Sequence, residues 1–247
     1  MKKIAEILKQ NKHRDFPYPT GKWLYYQEWN RVLFLHWEVS YDALRALVPQ
    51  DLHIDTFNGK AYISIVPFTM EKIRPRYLPS VKAISDFDEI NVRTYINNNG
   101  KRGVYFLNIE AGKSISALVA RTLSGLPYEK AIIHREQGKF TSINPYKGFQ
   151  LAATYSIGNL KKEKTKLDRW LTERYCLYLD KKDRLYRYDI HHLEWEIQKL
   201  ALHNLNIDYK IGELHFKNSP DLCHYSKGVE VLAWNAINIP IARKSEI

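Results

Sequence analysis

Glu89, Asn91 and Arg93 fall at alternate positions of the run Glu89-Ile90-Asn91-Val92-Arg93-Thr94-Tyr95. In an extended strand that spacing puts the three side chains on one face, with Ile90, Val92, Thr94 and Ile96 on the other. A carboxyl and a guanidinium sharing a face can hold an anion and, if withdrawn from water, exchange a proton with it. Asn99-Gly100 follows the run and is the residue pair that a tight type I′ hairpin demands. With a two-residue turn there, Arg93 lies opposite Phe106, Asn91 opposite Asn108 and Glu89 opposite Glu110. That face, with two carboxylates, two amides and an arginine, either lines the inside of a barrel or is a wet outer surface.

A second constellation comes from Tyr175–Asp180 and Arg184–His192, expected to form a hairpin. A three-residue loop Lys181–Asp183 pairs Asp180 with Arg184, and therefore Glu173 with His191 and Tyr175 with Asp189. A carboxylate facing a histidine fixes its tautomer and raises its basicity. His191 and His192 point to opposite faces of a strand and so cannot chelate one metal together. His36 sits in the apolar run Val32-Leu33-Phe34-Leu35-His36-Trp37, where a hydrogen-bonded core role competes with a role as ligand or base. Ser114 and Ser116 have no elbow motif around them, and no Gly-rich phosphate loop is present.

The elements that must position these residues are mostly strands. Residues 3–10 have helical spacing, and Phe16-Pro17-Tyr18-Pro19-Thr20-Gly21 is an extended connector, so residues 1–22 form an N-terminal appendage to one domain over 23–247. Trp29–Val39 is a buried strand. Ser40 caps a short helix stopped by Pro49. Asn58-Gly59 joins Leu52–Phe57 to Lys60–Met70, and Asn99-Gly100 joins Glu89–Asn98 to Lys101–Glu110. Glu71–Asp88, with Arg74-Pro75-Arg76 and Pro79, is a long ordered loop. Ala111–Ser124 is a helix, and Tyr128–Glu136, Lys139–Ile143 and Phe149–Ile157 are strands. Thr165-Lys166-Leu167-Asp168 has a capping-box pattern, and Gly228–Trp234 is the final strand. Many hairpins with few helices predict an α+β, mainly β fold: an antiparallel, strongly curved or closed sheet with peripheral helices.

Of 247 residues, 45% are hydrophobic and 26% charged, the mixture of a globular chain that buries a core. Lys and Arg number 38 against 27 Asp and Glu, a net charge of +11. That excess, with 17 tyrosines, gives the alternative reading of a basic nucleic-acid-binding protein without enzymatic activity, testable by the salt dependence of oligonucleotide binding. Cys176 and Cys223 lack metal-site spacing and form no disulfide framework, so they are expected to be inert thiols in a reducing compartment. Without a continuous apolar leader or a spanning segment, the expected location is the cytoplasm and no membrane partner is expected. No metal or cofactor is expected.

The segments Val32-Leu33-Phe34-Leu35-His36-Trp37, Leu44-Arg45-Ala46-Leu47-Val48-Pro49, Asp55-Thr56-Phe57-Asn58-Gly59, Val66-Pro67-Phe68, Glu89 to Tyr95, Leu126-Pro127-Tyr128 and Leu171-Thr172-Glu173-Arg174-Tyr175 together resemble the YqjF-like family of prokaryotic proteins, over Trp23 to Trp234. More distantly, the order of strand, Leu-Arg-x-x-x-Pro, hairpin and glutamate-bearing strand is similar to the acetoacetate decarboxylase superfamily. That resemblance implies a β-cone around a pocket, with Glu89 at the pocket glutamate. The superfamily's Schiff-base lysine lies in a Phe-Pro-Lys-Lys segment, whereas here the stretch is Leu126-Pro127-Tyr128-Glu129. Lys130 is displaced by two residues, roughly 7 Å along a strand. The expectation is a pocket protein that binds or transforms a small organic acid or carbonyl compound without imine chemistry. Glu89, Asn91, Arg93, Tyr128 and His36 are its candidate ligand-binding residues, and Glu89, Arg93, Glu173 and His191 its candidate catalytic groups.

Overall fold

Two Asn-Gly pairs reverse the chain as their chemistry requires: Asn58 and Gly59 have φ of 51° and 80°, Asn99 and Gly100 of 51° and 76°. The computed structural model describes residues 2–112, 128–181 and 184–240. In chain order the strands are β1 (Tyr25–Val39), β2 (Ala61–Pro75), β3 (Phe87–Asn98), β4 (Lys101–Ala111), β5 (Tyr128–Lys130), β6 (Ile132–Glu136), β7 (Lys139–Asn144), β8 (Phe149–Leu160), β9 (Cys176–Lys181), β10 (Arg184–His191), β11 (Ile197–Ile211), β12 (Leu214–Phe216) and β13 (Leu222–Ile239). The helices are α1 (Lys2–Lys9), α2 (Tyr41–Arg45), α3 (Lys82–Ser85) and α4 (Lys166–Thr172).

The strands β1-β2-β3-β4-β9-β10-β13 pair in that order, and β13 returns to β1 antiparallel, so these seven close into a barrel. Closure needs one parallel contact, β4 with β9 through Val104↔Leu177 and Tyr105↔Tyr178. Gly103 permits it, because a Cβ there would lie 2.4 Å from the Cys176 carbonyl oxygen. The remaining strands β11-β8-β7-β6 extend the sheet. Phe140, Phe149, Leu151 and Tyr209 of that extension share a core with Leu33, Leu35, Ile63, Ile65, Ile90 and Val92 of the barrel wall. Burial on both faces explains why β1 and β2 are apolar in unbroken runs rather than alternating. Ile7 of α1 packs with Trp23, Tyr26, Leu232 and Trp234.

Several expectations need correction. The first strand begins at Tyr25, four residues before Trp29. Leu52–Phe57 makes only isolated bridges, Ile54↔Ile96 and Phe57↔Lys60. The long ordered loop expected over Glu71–Asp88 is partly regular structure: β2 runs to Pro75, α3 intervenes and β3 starts at Phe87. Tyr128–Glu136 is two strands, and β5 pairs with β4 in parallel. Ala111 ends β4, and the rest of the helix expected over Ala111–Ser124, apart from Gly112, lies outside the described residues. The last strand spans Leu222–Ile239, far beyond Gly228–Trp234. β11 and β12 were not anticipated. Among the described residues no helix is long and apolar enough to cross a membrane.

Candidate functional site

The register of β3 against β4 decides which polar groups meet. Arg93 lies opposite Phe106 as expected, but Val92 pairs with Asn108, Asn91 with Ile109, Ile90 with Glu110 and Glu89 with Ala111. Leu107 is therefore an extra residue, a β-bulge that shifts everything beyond it by one and turns each later side chain to the other face. The expected pairs Glu89–Glu110 and Asn91–Asn108 do not form. Glu89, Asn91 and Arg93 face the barrel interior, while Asn108 and Glu110 face the layer between barrel and extension.

Glu110 is fully buried in that outer layer and amply partnered. Asn108 and Asn144 each donate to its Oε1 at 3.2 Å, and the Tyr209 hydroxyl donates to Oε2 at 3.0 Å. Burial raises its pKa against these donors. This satisfied cluster ties the extension to the barrel wall.

Inside the barrel, Glu89, Asn91, Arg93 and Tyr128 line one cavity of about 40 Å³, walled by Phe34, Val66, Phe68, Phe106, Leu177 and Trp195. Parity along each strand delivers these residues. Val32 and Phe34 come from β1, Val66, Phe68 and Met70 from β2, and Glu89, Asn91 and Arg93 from β3. Tyr128 donates its hydroxyl hydrogen bond to Glu89 Oε2 at 3.3 Å. Burial pushes the Glu89 carboxyl up to about 8, against the pull of hydrogen bonds from Tyr128 and Asn91. Glu89 thus carries a proton at neutral pH and is a donor. The Arg93 guanidinium is buried over the Phe34 ring at 5.6 Å, and its pKa is lowered by that burial, with Tyr95 opposing. Its Nε has no hydrogen-bond partner, and no carboxylate lies within salt-bridge distance among the described residues. Among the described lining residues Arg93 is therefore without a counter-ion when Glu89 is protonated.

His36 does not line the cavity. It lies behind Phe34, whose ring it stacks on, and its Nδ1 is 2.6 Å from Ser64 Oγ, which in turn meets the Tyr95 hydroxyl. Burial, followed by the nearby His224 and Arg93, holds its pKa well below the usual histidine range. The Glu173–His191 pair is also not formed. Arg184 pairs with Lys181 and Asp189 with Cys176, one residue from the expected register, because only residues 182–183 lie between the strands. Glu173 caps the C-terminus of α4 and bonds Lys164, the Trp195 amide and the Tyr175 hydroxyl. His191 is buried under the N-terminal segment, in contact with Tyr18, Arg14 and the Ile7 carbonyl. Burial lowers its pKa to about 3. Neither residue lines the cavity that holds Glu89 and Arg93.

Gln27, Trp29, Leu177 and Trp195 line the cavity without having been anticipated. Gln27 and Trp29 share the parity of Val32 and Phe34 only across an irregularity in β1, where Arg31 has a φ of 54° and the pairing with β2 shifts. Starting the strand at Tyr25 places Gln27 on it beside Trp29, but only the irregularity at Arg31 turns both to the face of Val32 and Phe34.

The ionisation of Glu89 makes a testable demand. Its folded pKa of about 8 exceeds the ordinary 4.5, so the stability it contributes is fully present below about pH 4.5 and is lost as pH rises through 8. Glu89→Gln keeps a neutral polar group and removes the titration. The stability difference between wild type and E89Q, from urea melts, should shift against wild type by on the order of 3 kcal/mol between about pH 5 and pH 8. Parallel pH profiles would mean that Glu89 is ionised throughout.

The fold has solved counterparts. Acetoacetate decarboxylase from Legionella pneumophila superposes with a TM-score of 0.57 at 16% identity, over 92% of this chain and 94% of that one. The enduracididine biosynthesis enzyme MppR, in its complex with pyruvate, superposes with a TM-score of 0.56 at 11% identity, over 89% and 91%. At such identities the likeness is one of fold. In sequence the chain is 38% identical over 229 residues to the uncharacterized protein YqjF of Bacillus subtilis, covering 90% of this chain and 95% of that protein. Residues 26–230, which hold the barrel strands apart from the first residue of β1 and the second half of β13, match the pattern of the DUF2071 family, described as an uncharacterized conserved protein, and the chain belongs to that family.

Proposed function

We propose that the barrel cavity binds a short organic acid, its carboxylate against Arg93, without forming an imine. The observation that carries this reading is a buried guanidinium facing a cavity with no carboxylate partner among the described residues. A buried cation without a counter-ion is costly, and a carboxylate ligand supplies both the charge and the bidentate geometry that arginine favours. Glu89, protonated at neutral pH, donates to the same ligand instead of repelling it. Proton transfer from Glu89 to a carbonyl or leaving oxygen is the chemistry the side chains offer.

The absence of a lysine among the described lining residues supports non-covalent binding. Tyr128, at the position where the resemblance puts the reactive lysine, has a phenol that cannot form an imine, and Lys130 is exposed. One protein of similar fold, MppR, has been solved in complex with pyruvate, a short keto acid. The test is incubation with pyruvate and with a β-keto acid in the presence of borohydride, followed by mass spectrometry. No lysine adduct is expected, while the acids raise the melting temperature reversibly. A stoichiometric adduct on Lys130 or any other lysine overturns the reading, as does the lack of any thermal shift.

A further inference from the structure

Twelve buried side-chain polar atoms lack a hydrogen-bond partner among the described residues, and four of them belong to residues lining this one cavity: Gln27 Oε1, Trp29 Nε1, Asn91 Oδ1 and Arg93 Nε. Gln27, Asn91 and Arg93 are each more than nine-tenths buried. Buried polar groups are almost always paired, so four orphans around one space form a pattern that a ligand would complete. Two of them are donors, Trp29 Nε1 and Arg93 Nε. The other two are amide oxygens, which can only accept. The Asn91 side chain adjoins the Glu89 carboxyl, and its Oδ1 is the atom left without a partner.

A simple carboxylate or a keto acid has only acceptors. Either would satisfy Trp29 and Arg93 and leave both amide oxygens bare. An amino acid would satisfy the oxygens, but it would bring its ammonium beside Arg93 in a cavity whose carboxyl is uncharged. A hydroxyl donates without adding positive charge. Asn91 and Arg93 stand two residues apart on β3, and Gln27 and Trp29 two apart on β1, so each strand offers an acceptor and a donor about 7 Å apart or less at their tips. The space, about 40 Å³, is small, which favours the shortest acids.

We propose that the acid is a short hydroxy acid, its carboxylate on Arg93 and Trp29 and its hydroxyl donating to Asn91 or Gln27. This rests on the reading of the cavity as an organic-acid site. The experiment is calorimetric titration of the full chain at neutral pH with glycolate and lactate, with acetate and propionate as their deoxy counterparts, with pyruvate, and with glycine and alanine. Each hydroxy acid should bind at least about tenfold more tightly than its deoxy counterpart and than pyruvate, because the latter leave built polar groups unpaired. Glycine and alanine should bind more weakly than either. In the variant that removes the acceptor, Asn91→Leu or Gln27→Leu, the preference for glycolate over acetate should shrink towards unity, and its persistence in both would overturn the inference. Equal affinity of hydroxy and deoxy acids sinks this inference while leaving the organic-acid reading intact. Failure of every short acid to bind sinks both.

Discussion

Arg93→Met is expected to weaken binding of short carboxylic acids by at least about a hundredfold while leaving the melting temperature unchanged or higher. Truncating one partner of a buried, hydrogen-bonded charge pair typically costs 2–5 kcal/mol in binding, roughly 30-fold to several thousandfold. In the free protein the accounting runs the other way. Arg93 is buried with its Nε unpartnered, so methionine, which fits the surrounding Phe34, Val66 and Phe106, removes an uncompensated charge and keeps the packing. Opposite signs for affinity and stability mark a residue retained for a ligand. A variant that loses stability by more than about 2 kcal/mol with unchanged affinity would show Arg93 to be structural.

Arg174→Ala should instead destabilise the fold by about 3 kcal/mol, within the 3–5 expected when half of a buried ion pair is removed. Arg174 is 3% exposed and donates from Nη1 to Asp55 at 2.6 Å and from Nε to the Trp170 carbonyl at 2.7 Å. Its guanidinium also lies 4.4 Å from the Trp170 ring centre and 4.8 Å from that of Tyr95. Deletion leaves Asp55 buried with only Arg102, at 3.9 Å, to compensate, which puts the cost at the lower end of the range. It also frees α4 from the β3 face beneath it. Lysine would restore charge without the fork and should recover less than half of the loss. The urea midpoint reads this directly, and a loss below 1 kcal/mol would mean that Arg102 replaces the pair.

Local signals in this sequence were dependable where the chemistry is local. Asn58-Gly59 and Asn99-Gly100 adopt the positive φ angles their types favour, and Thr165 and Asp168 make the reciprocal capping box at the start of α4. Alternation along β3 correctly gathered Glu89, Asn91 and Arg93, because no irregularity interrupts that stretch. Two bulges hid the rest. Leu107 continues an apolar run without a break in composition, so nothing in its neighbours announces that Asn108 and Glu110 change face. In β11 the buried positions change parity between Leu202 and Leu205, where the pairing with β8 shifts, and the broken alternation concealed a fifteen-residue strand. Glu173 was counted along a strand when it ends a helix, where its spacing from His191 has no meaning for contact. Tertiary closure was the least legible feature. Gln27 and Trp29 come to line one cavity with Asn91 and Arg93 only through the curvature and closure of the barrel, which no local stretch of sequence announces.

Titration of the labelled protein with a short carboxylic acid, followed through the Arg93 side-chain Nε–H resonance by nitrogen-15 NMR, tests the organic-acid reading at its centre. Arg93→Lys identifies the signal. An unpartnered Nε–H that gains a carboxylate should move downfield and saturate with the same affinity that calorimetry reports, with every lysine mass unchanged. A resonance that stays fixed while the acid binds would place the ligand elsewhere and contradict the account.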